Sequence, residues 1–349
     1  MKNERNYHDQ VNIDNAVKMR EVLAELPAFC KDYFRGIETT TSTRTRLAYA
    51  YDLRIFFEYM HDNNPSLKNK PMTEISISIL DMIAPSDIEE YMEFLTYYVK
   101  DGKEYTNDER GKMRKLSSLR SFYNYFFRTE RIEKNPAAIV SMPKLHEKEI
   151  IRLDSDEVSR LLDLVESGEE MTKRQKAYHE KTKIRDTALL TLLLGTGIRV
   201  SECVGLDIND VDFKSNGIKI RRKGGYEAVV YFGEEVRDAL ELYLNERQLI
   251  IAESGHENAL FLSMQNRRIT VRSVEKLVKK YASMTTCLKK ITPHKLRSTY
   301  GTSLYRETGD IYLVADVLGH KDVNTTRRHY AAIEEDRRKS AADAVKLRK

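Results

Sequence analysis

The sequence predicts a mainly α-helical chain with one small antiparallel β-sheet, arranged in two domains. Three observations carry that reading. The chain has 349 residues, enough for two domains of ordinary size. Apolar residues recur at helical spacing through most of it. Between Val211 and Phe232 the period shortens to β-type runs separated by Gly217 and Gly224-Gly225. Hydrophobic residues make up 41% and charged residues 32%, which supports a buried core and excludes a disordered or fibrous chain. No run approaches about 18 consecutive apolar residues, and the opening residues lack the apolar core of a secretory signal, so we expect a cytoplasmic protein without a membrane partner. Cys30, Cys203 and Cys287 are far apart and odd in number, and read as packing residues rather than disulfide or metal ligands. With 59 Lys plus Arg against 54 Asp plus Glu, the net charge of +5 decides little, and an acidic partner has to be argued from where the charge sits.

In chain order, residues 1–38 read as an N-terminal arm with a short helix, and the Thr/Ser run from Thr39 to Thr43 can cap the next helix. Leu47, Tyr51, Ile55 and Tyr59 predict an amphipathic helix whose other face carries Arg44, Arg46 and Arg54. A second helix starts near Pro85 or Ser86, buries Ile88, Tyr91, Met92, Leu95 and Val99, and ends at Gly102. From Arg110 to Phe127 a basic helix carries Arg110, Lys112, Arg114, Lys115 and Arg120 ahead of an aromatic back formed by Phe122, Tyr123, Phe126 and Phe127. The first domain, 39–142, therefore reads as all-helical. Asn135-Pro136 breaks the pattern, and the charged, Pro-containing stretch 143–150 reads as a linker.

The second domain, 151–330, opens with a helix at Ser155, followed by a charge-dense segment from Glu166 to Lys183 that reads as an exposed insertion. Helix resumes at Ala188 and stops at Gly195-Thr196-Gly197. Short strands come next at 211–213, 218–220 and 229–231, and then helical periods at 234–249, 271–281, 294–305 and 311–318. Ala331 to Lys349 would form a weak amphipathic helix alone.

Five features of this half can carry chemistry. Arg199 emerges from a tight glycine turn just before Ser201 can cap a helix, where its planar fork suits two oxygens of a phosphate and Glu202 can orient it. Thr292 and Pro293 mark a helix start that puts His294 and Arg297 on one face near free N–H groups. His320 projects from a glycine C-cap at Gly319. Lys223 sits at the hairpin tip beside two glycines. Tyr330 follows His320 by ten residues. Alone, each has a bland reading: a surface ion pair, a capping histidine, a solvated turn lysine, a packing tyrosine among 20. Together they describe phosphoryl transfer without a metal. Two arginines offset the charge of a pentacovalent transition state, a Lys or His donates a proton to the departing oxygen, and a tyrosine stores the phosphate as an ester. There is neither a nucleotide-binding Gly-rich loop ending in Lys-Ser/Thr nor a clustered carboxylate set for two magnesium ions, so no cofactor is expected.

The ordered motifs Gly195-Thr196-Gly197-Ile198-Arg199-Val200-Ser201-Glu202, Pro293-His294-Lys295-Leu296-Arg297, Leu318-Gly319-His320-Lys321 and Thr325-Thr326 with Tyr330 resemble those of the tyrosine recombinase, or phage integrase, family, nearest in layout to its Xer-like members. The resemblance runs from about Thr40 to Tyr330 and implies a helical core-binding (SAM-like) domain followed by a recombinase catalytic domain. It implies that Arg199 and Arg297 bind the scissile phosphate, that Lys223 is the general acid for the leaving 5′ hydroxyl, that His294 exchanges a proton near Tyr330, that His320 helps hold the phosphate, and that Glu202 supports the site. Tyr330 is then the nucleophile of a 3′-phosphotyrosyl intermediate. The sequence departs from relatives at Gly224-Gly225-Tyr226, where they often place a polar residue and another Lys. The first domain is expected to clamp DNA through Arg44, Arg46, Arg110, Lys112, Arg114 and Lys115. The partners implied are double-stranded DNA with an inverted-repeat core site, three further copies in a tetramer on two such sites joined through 331–349, and a second recombinase or accessory protein. A type IB topoisomerase would run the same chemistry on one duplex, and the two-domain layout argues against it. A catalytically silent or partner-activated DNA-binding protein of the same fold is the alternative, and the presence of every expected active-site residue counts against it.

Overall fold

The computed structural model describes residues 6–146, 151–222, 224–286, 288–320 and 323, and the chain divides into two compact units, Met1–Lys148 and Glu149–Lys349.

In the first unit α1 (Tyr7–Glu25) starts where the Asn6 side chain accepts from the His8 amide at 2.9 Å, and α2 (Cys30–Gly36) comes after it. These residues, expected as an arm, are part of the core: Val22, Leu23, Leu26, Phe29, Cys30, Tyr33 and Phe34 are all buried in it. The Phe29 ring lies 5.9 Å from Phe57, 6.1 Å from Phe122 and 5.6 Å from Phe126, and the Tyr33 hydroxyl donates to Ser121 Oγ at 2.9 Å. Helix α1 buries only Val22 and Leu23, at its C-terminal end, and through them joins the core that holds this aromatic cluster.

Helix α3 (Thr43–Asn63) is capped within the Thr/Ser run by Ser42, whose hydroxyl accepts from Thr45 N at 3.3 Å. It buries Ala50, Leu53, Phe56, Phe57 and Met60, while Tyr51, expected inside, is 38% exposed. The physical reason is the period. A strict four-residue repeat drifts about 40° around a helix at each step, whereas steps of three and four alternating stay on one face. After α4 (Ile79–Met82), α5 (Pro85–Phe94) is capped by the Asp87 carboxylate accepting from Ala84 N at 2.8 Å. The all-helical expectation fails next: β1 (Tyr97–Lys100) and β2 (Lys103–Thr106) form an antiparallel hairpin in the register Tyr97↔Thr106. Asp101 and Gly102 turn it with φ of 50° and 69°, the pair of left-handed residues a two-residue hairpin needs. Gly102 ends a strand instead of a helix, because the same conformation serves both. Helix α6 (Glu109–Arg128), capped by Asp108, buries Phe122, Tyr123 and Phe126 of the expected aromatic back along with Leu116 and Leu119, while Phe127 is exposed, and Arg120 donates to the Ala137 and Val140 carbonyls around α7 (Pro136–Ile139) at 3.0 and 2.5 Å.

In the second unit α8 (Ser155–Ser167) is capped by Asp154 rather than Ser155, with Asp154 and Glu157 each accepting the other's amide at 2.9 Å, and it ends at left-handed Gly168. The segment 166–183, expected as an exposed insertion, is folded. It buries Met171, His179 and Thr182, and holds α9 (Lys173–His179), whose terminal His179 Nε2 lies 2.7 Å from the Val165 carbonyl. Helix α10 (Lys183–Thr196) buries Ala188, Leu189, Leu190, Leu192 and Leu193 and runs through the middle of the unit. Asp186 ties it in place by accepting from Tyr281 Oη at 2.9 Å and from Arg185 Nη2 at 2.6 Å. Then come α11 (Val200–Gly205) and the antiparallel sheet β3 (Val211–Asp212), β4 (Gly217–Arg221) and β5 (Glu227–Tyr231), in that spatial order. Helices α12 (Glu234–Arg247), α13 (Val271–Thr285), α14 (Pro293–Thr308) and α15 (Ile311–Leu318) complete the unit. Cys30 and Cys203 are fully buried, and burial pushes the Cys203 thiol up to about 12, as suits a packing residue. Cys287 lies outside the described residues. No helix among the described residues is long and apolar enough to cross a membrane.

Candidate active site

Helix α10 ends at Gly197, whose φ of 61° closes a bond from its amide to the Leu193 carbonyl at 3.1 Å. A Cβ at this position would lie 2.4 Å from the Tyr300 ring and 3.0 Å from Leu318, so the turn also brings α14 and α15 close. Two residues on, Arg199 is extended and precedes α11. The Glu202 carboxylate accepts from the Arg199 amide at 2.7 Å through one oxygen and from its Nη1 at 2.7 Å through the other. Glu202 is buried, whereas a third of the Arg199 side chain is exposed, so a fixed carboxylate holds both ends of an arginine that still faces outward.

Arg297 lies one turn into α14, which starts with Pro293 at its first position. Thr292 stands at the N-cap, as expected, although its side chain makes no capping bond. The Arg297 guanidinium, 4% exposed, donates to the Gly197 carbonyl at 2.6 Å and to the Leu318 carbonyl. His294 is exposed in the first turn of the same helix, three residues before it.

Helix α15 ends with Gly319 at φ 61°, where the amides of Gly319 and His320 donate to Asp316 and Ala315 at 2.8 and 2.9 Å. The next three carbonyls each take a guanidinium: Val317 from Arg222 at 2.8 Å, Leu318 from Arg297, and Gly319 from Arg199 at 3.3 Å. A helix C-terminus presents unpaired carbonyls and the negative end of the dipole, so it can hold three cations side by side that would otherwise repel one another. His320, half-buried, comes directly after. The structure therefore brings together Arg199, Glu202, Arg297 and the Gly319-His320 turn, with His294 on the helix that supplies Arg297. Lys223 and Tyr330 lie outside the described residues.

Arg222 is not among the residues that the sequence motifs single out. The signal that finds it is the strand period: Ile218 and Ile220 of β4 are buried, and Arg222 continues that face, 7% exposed.

The basic residues of the first unit divide. Arg44 and Arg110 are exposed, Arg114 is half-exposed while paired with Asp52, and Lys112 Nζ donates to Thr96 Oγ1 at 2.6 Å. Two expected DNA ligands are internal instead. Arg46 is buried on Glu38 at 3.0 Å, and Lys115 is buried, donating to Asn107 Oδ1 at 2.8 Å with Asp52 3.9 Å away. Burial holds the Lys115 ammonium below its usual range, against the pull of Asp52. Lys115 precedes Leu116 on the buried side of α6, and buried Asp52 gives it a reason to be there.

Residues 151–337 match the model of the phage integrase family. The chain is 32% identical over 297 residues to the tyrosine recombinase XerD of Oceanobacillus iheyensis, covering 84% of this chain and 90% of that protein. It is 31% identical to the tyrosine recombinase XerS of Streptococcus uberis, covering 94% of this chain and 98% of the relative. Among solved structures, XerH site-specific recombinase bound to palindromic difH substrate superposes with a TM-score of 0.64 at 22% identity, covering 86% of this chain and 80% of that one.

Proposed function

The chain belongs to the phage integrase family of tyrosine recombinases, and we propose from that premise that it cleaves and rejoins DNA strands at a specific site through a 3′-phosphotyrosyl intermediate. The observation that carries the reading is the convergence of Arg199 and Arg297 on the last turn of α15, beside His320. Such an array suits a scissile phosphate, whose two non-bridging oxygens gain charge in the transition state. Arg199 and Arg297 hold those oxygens, His320 adds a contact, and Glu202 keeps Arg199 aimed. Tyr330 attacks phosphorus, Lys223 protonates the departing 5′ oxygen, and His294 exchanges a proton near the tyrosine. The phosphodiester energy is stored in the tyrosyl ester, so the reaction needs no nucleotide cofactor. A second strand's 5′ hydroxyl then attacks the ester and releases the tyrosine, either to integrate or excise a mobile element or to resolve chromosome dimers in the cytoplasm. Incubating the protein with a nicked suicide duplex of its own flanking DNA or of the host resolution site tests this: a covalent protein–DNA adduct on a denaturing gel supports it, and specific binding with no adduct, even with candidate partner recombinases or accessory proteins added, overturns it.

The first domain, 39–142 together with the helices of 7–36 that share its core, clamps the DNA, and 143–150 links it to the catalytic domain. Arg44, Arg110, Lys112 and Arg114 meet phosphates. Arg44→Ala and Arg110→Ala should weaken binding to all sequences alike and each lower the slope of log affinity against log salt by about 1. Arg46→Ala and Lys115→Ala should instead lower thermal stability, by about 1–3 kcal/mol each, and leave that slope unchanged. Salt titrations beside melting curves check the division, and a changed slope for Arg46→Ala would return it to the DNA face.

The recombinase acts as a tetramer on two inverted-repeat sites, with 331–349 packing on a neighbouring copy. A groove of about 620 Å³ beside edge strand β5, lined mostly by apolar and aromatic side chains such as Val229, Tyr231 and Leu313 and reaching Arg222, Asp316 and His320, offers a seat for such a segment and supports this reading. Deleting 331–349, with Tyr330 kept, should spare binding to one site and weaken synapsis of two. Recombination at the wild-type rate would refute the exchange.

A further inference from the structure

We propose that Arg222 is a positioning residue for strand cleavage: its guanidinium, clamped on the last turn of α15, anchors the end of β4 there and so serves to aim the acid carried by the next residue. This rests on the reading of Lys223 as the acid for the leaving 5′ oxygen, and supplies what aims that acid.

Arg222 continues the inward face of β4 and is 7% exposed. An arginine so buried is ordinarily matched by a carboxylate. Here its Nη2 donates to the Val317 carbonyl at 2.8 Å, and its Nη1 is buried with no hydrogen-bond partner among the described residues. The guanidinium lies flat on Gly319: a Cβ there would sit 1.7 Å from Nη1 and 2.4 Å from Cζ. Gly319 suits this position in two ways: its φ of 61° favours glycine, and the missing side chain leaves the room the arginine fills. A buried donor without a partner is unfavourable, and a methionine would fill the same space without one. Its presence fits a side chain that serves by what it holds in place.

The part it holds is the hairpin tip. The Arg222 amide donates to the Tyr226 carbonyl at 2.9 Å and the Gly225 amide to the Arg222 carbonyl at 3.0 Å, so the tip is closed by local bonds. Those bonds tie the tip to itself and not to α15. Gly224 and Gly225, at φ of 105° and 87°, make it a pliant place from which to deliver a proton. The Arg222 side chain crosses to the turn that carries His320 and receives Arg199 and Arg297, which registers the residue next to Lys223 against the phosphate-binding groups.

In the step concerned, the Tyr330 oxygen forms a bond to phosphorus as the bond from phosphorus to the 5′ oxygen breaks, the phenol proton passes to a base, and the Lys223 ammonium gives its proton to the departing oxygen. Replacing that bridging oxygen with sulfur removes the need for the last proton, because a thiolate leaves unaided. The test measures single-turnover cleavage by the full-length protein of suicide duplexes with a 5′-bridging oxygen or sulfur. Arg222→Met should cleave the oxygen duplex about 100-fold more slowly and the sulfur duplex nearly as fast as the wild type, with DNA affinity retained. Where Arg222→Met does not fold, Arg222→Lys, which keeps the charge and a donor for the Val317 carbonyl but not the planar fork, should show the same split to a smaller degree. Equal losses on both duplexes, or no loss on oxygen, overturn the proposal. Lys223→Ala separates the premise from the inference. If sulfur does not restore it, the reading of Lys223 fails and the role of Arg222 falls with it. If sulfur restores Lys223→Ala but not Arg222→Met, only the positioning role fails.

Discussion

Tyr330→Phe is expected to abolish the covalent protein–DNA adduct and to lower strand cleavage by about 10⁴-fold or more, while leaving DNA affinity within about twofold of the wild type. The substitution removes one oxygen and nothing else from the side chain. If that oxygen is the nucleophile, the arginines of the site cannot take its place because they carry no lone pair to attack with, and His294 and His320 are committed to proton exchange and to the phosphate contact. Binding should persist, since affinity for duplex DNA comes mostly from phosphate contacts spread over many lysines and arginines. The phenol is a weak nucleophile at neutral pH, with an ordinary pKa near 10. Guanidiniums gathered on the end of α15 favour the charge that develops when it attacks. Single-turnover incubation with the suicide duplex, run beside a binding assay, checks the prediction. An adduct formed at the wild-type rate by Tyr330→Phe would move the nucleophile to another residue.

Much of the catalytic unit was legible because its chemistry is local. Arg199 and Glu202 are three residues apart, and their double hydrogen bond arises from a glycine-ended helix succeeded at once by another. Gly197 and Gly319 mark helix ends, and both adopt the left-handed conformation their positions suggest. The sheet was equally readable, since Ile218, Ile220 and Val230 alternate with exposed positions. The features that escaped depend on partners distant in sequence. Arg46 and Lys115 look like surface charges until Glu38, Asn107 and Asp52 are known to meet them. Residues 7–36 look like an arm because their apolar content is concentrated in one aromatic cluster whose partners, Phe57, Phe122 and Phe126, lie up to a hundred positions away. The hairpin at 97–106 was hidden by composition: Leu95 and Val99 fit the end of the preceding helix, and Asp101-Gly102 serves a helix end as well as a turn. Arg222 combined both difficulties, with an inward direction set by local alternation and a purpose set by Val317 and Gly319, about 95 residues on.

Arg199→Ala should lower single-turnover cleavage by about 10²–10³-fold and destabilise the catalytic unit by about 1–3 kcal/mol, a drop of about 5 °C in its melting temperature. The two effects have different origins. Loss of rate comes from removing donors aimed at the oxygens of the transition state. Loss of stability comes from Glu202, whose buried carboxylate would keep the backbone amide of residue 199 and lose the guanidinium that balances its charge. Arg199→Lys and Glu202→Gln pull them apart. Lysine returns a positive charge near Glu202 and should recover part of the stability, but its single ammonium cannot bond Glu202 and the Gly319 carbonyl while presenting a planar pair of donors to a phosphate, so cleavage should stay low. Glu202→Gln keeps an acceptor for the backbone amide and leaves Arg199 in place but less firmly aimed, so its rate should fall between the wild type and Arg199→Lys. Melting curves and cleavage rates on the same preparations decide the matter. Wild-type cleavage by Arg199→Lys would mean that only charge is required at 199, and the fork held by Glu202 would then serve the fold alone.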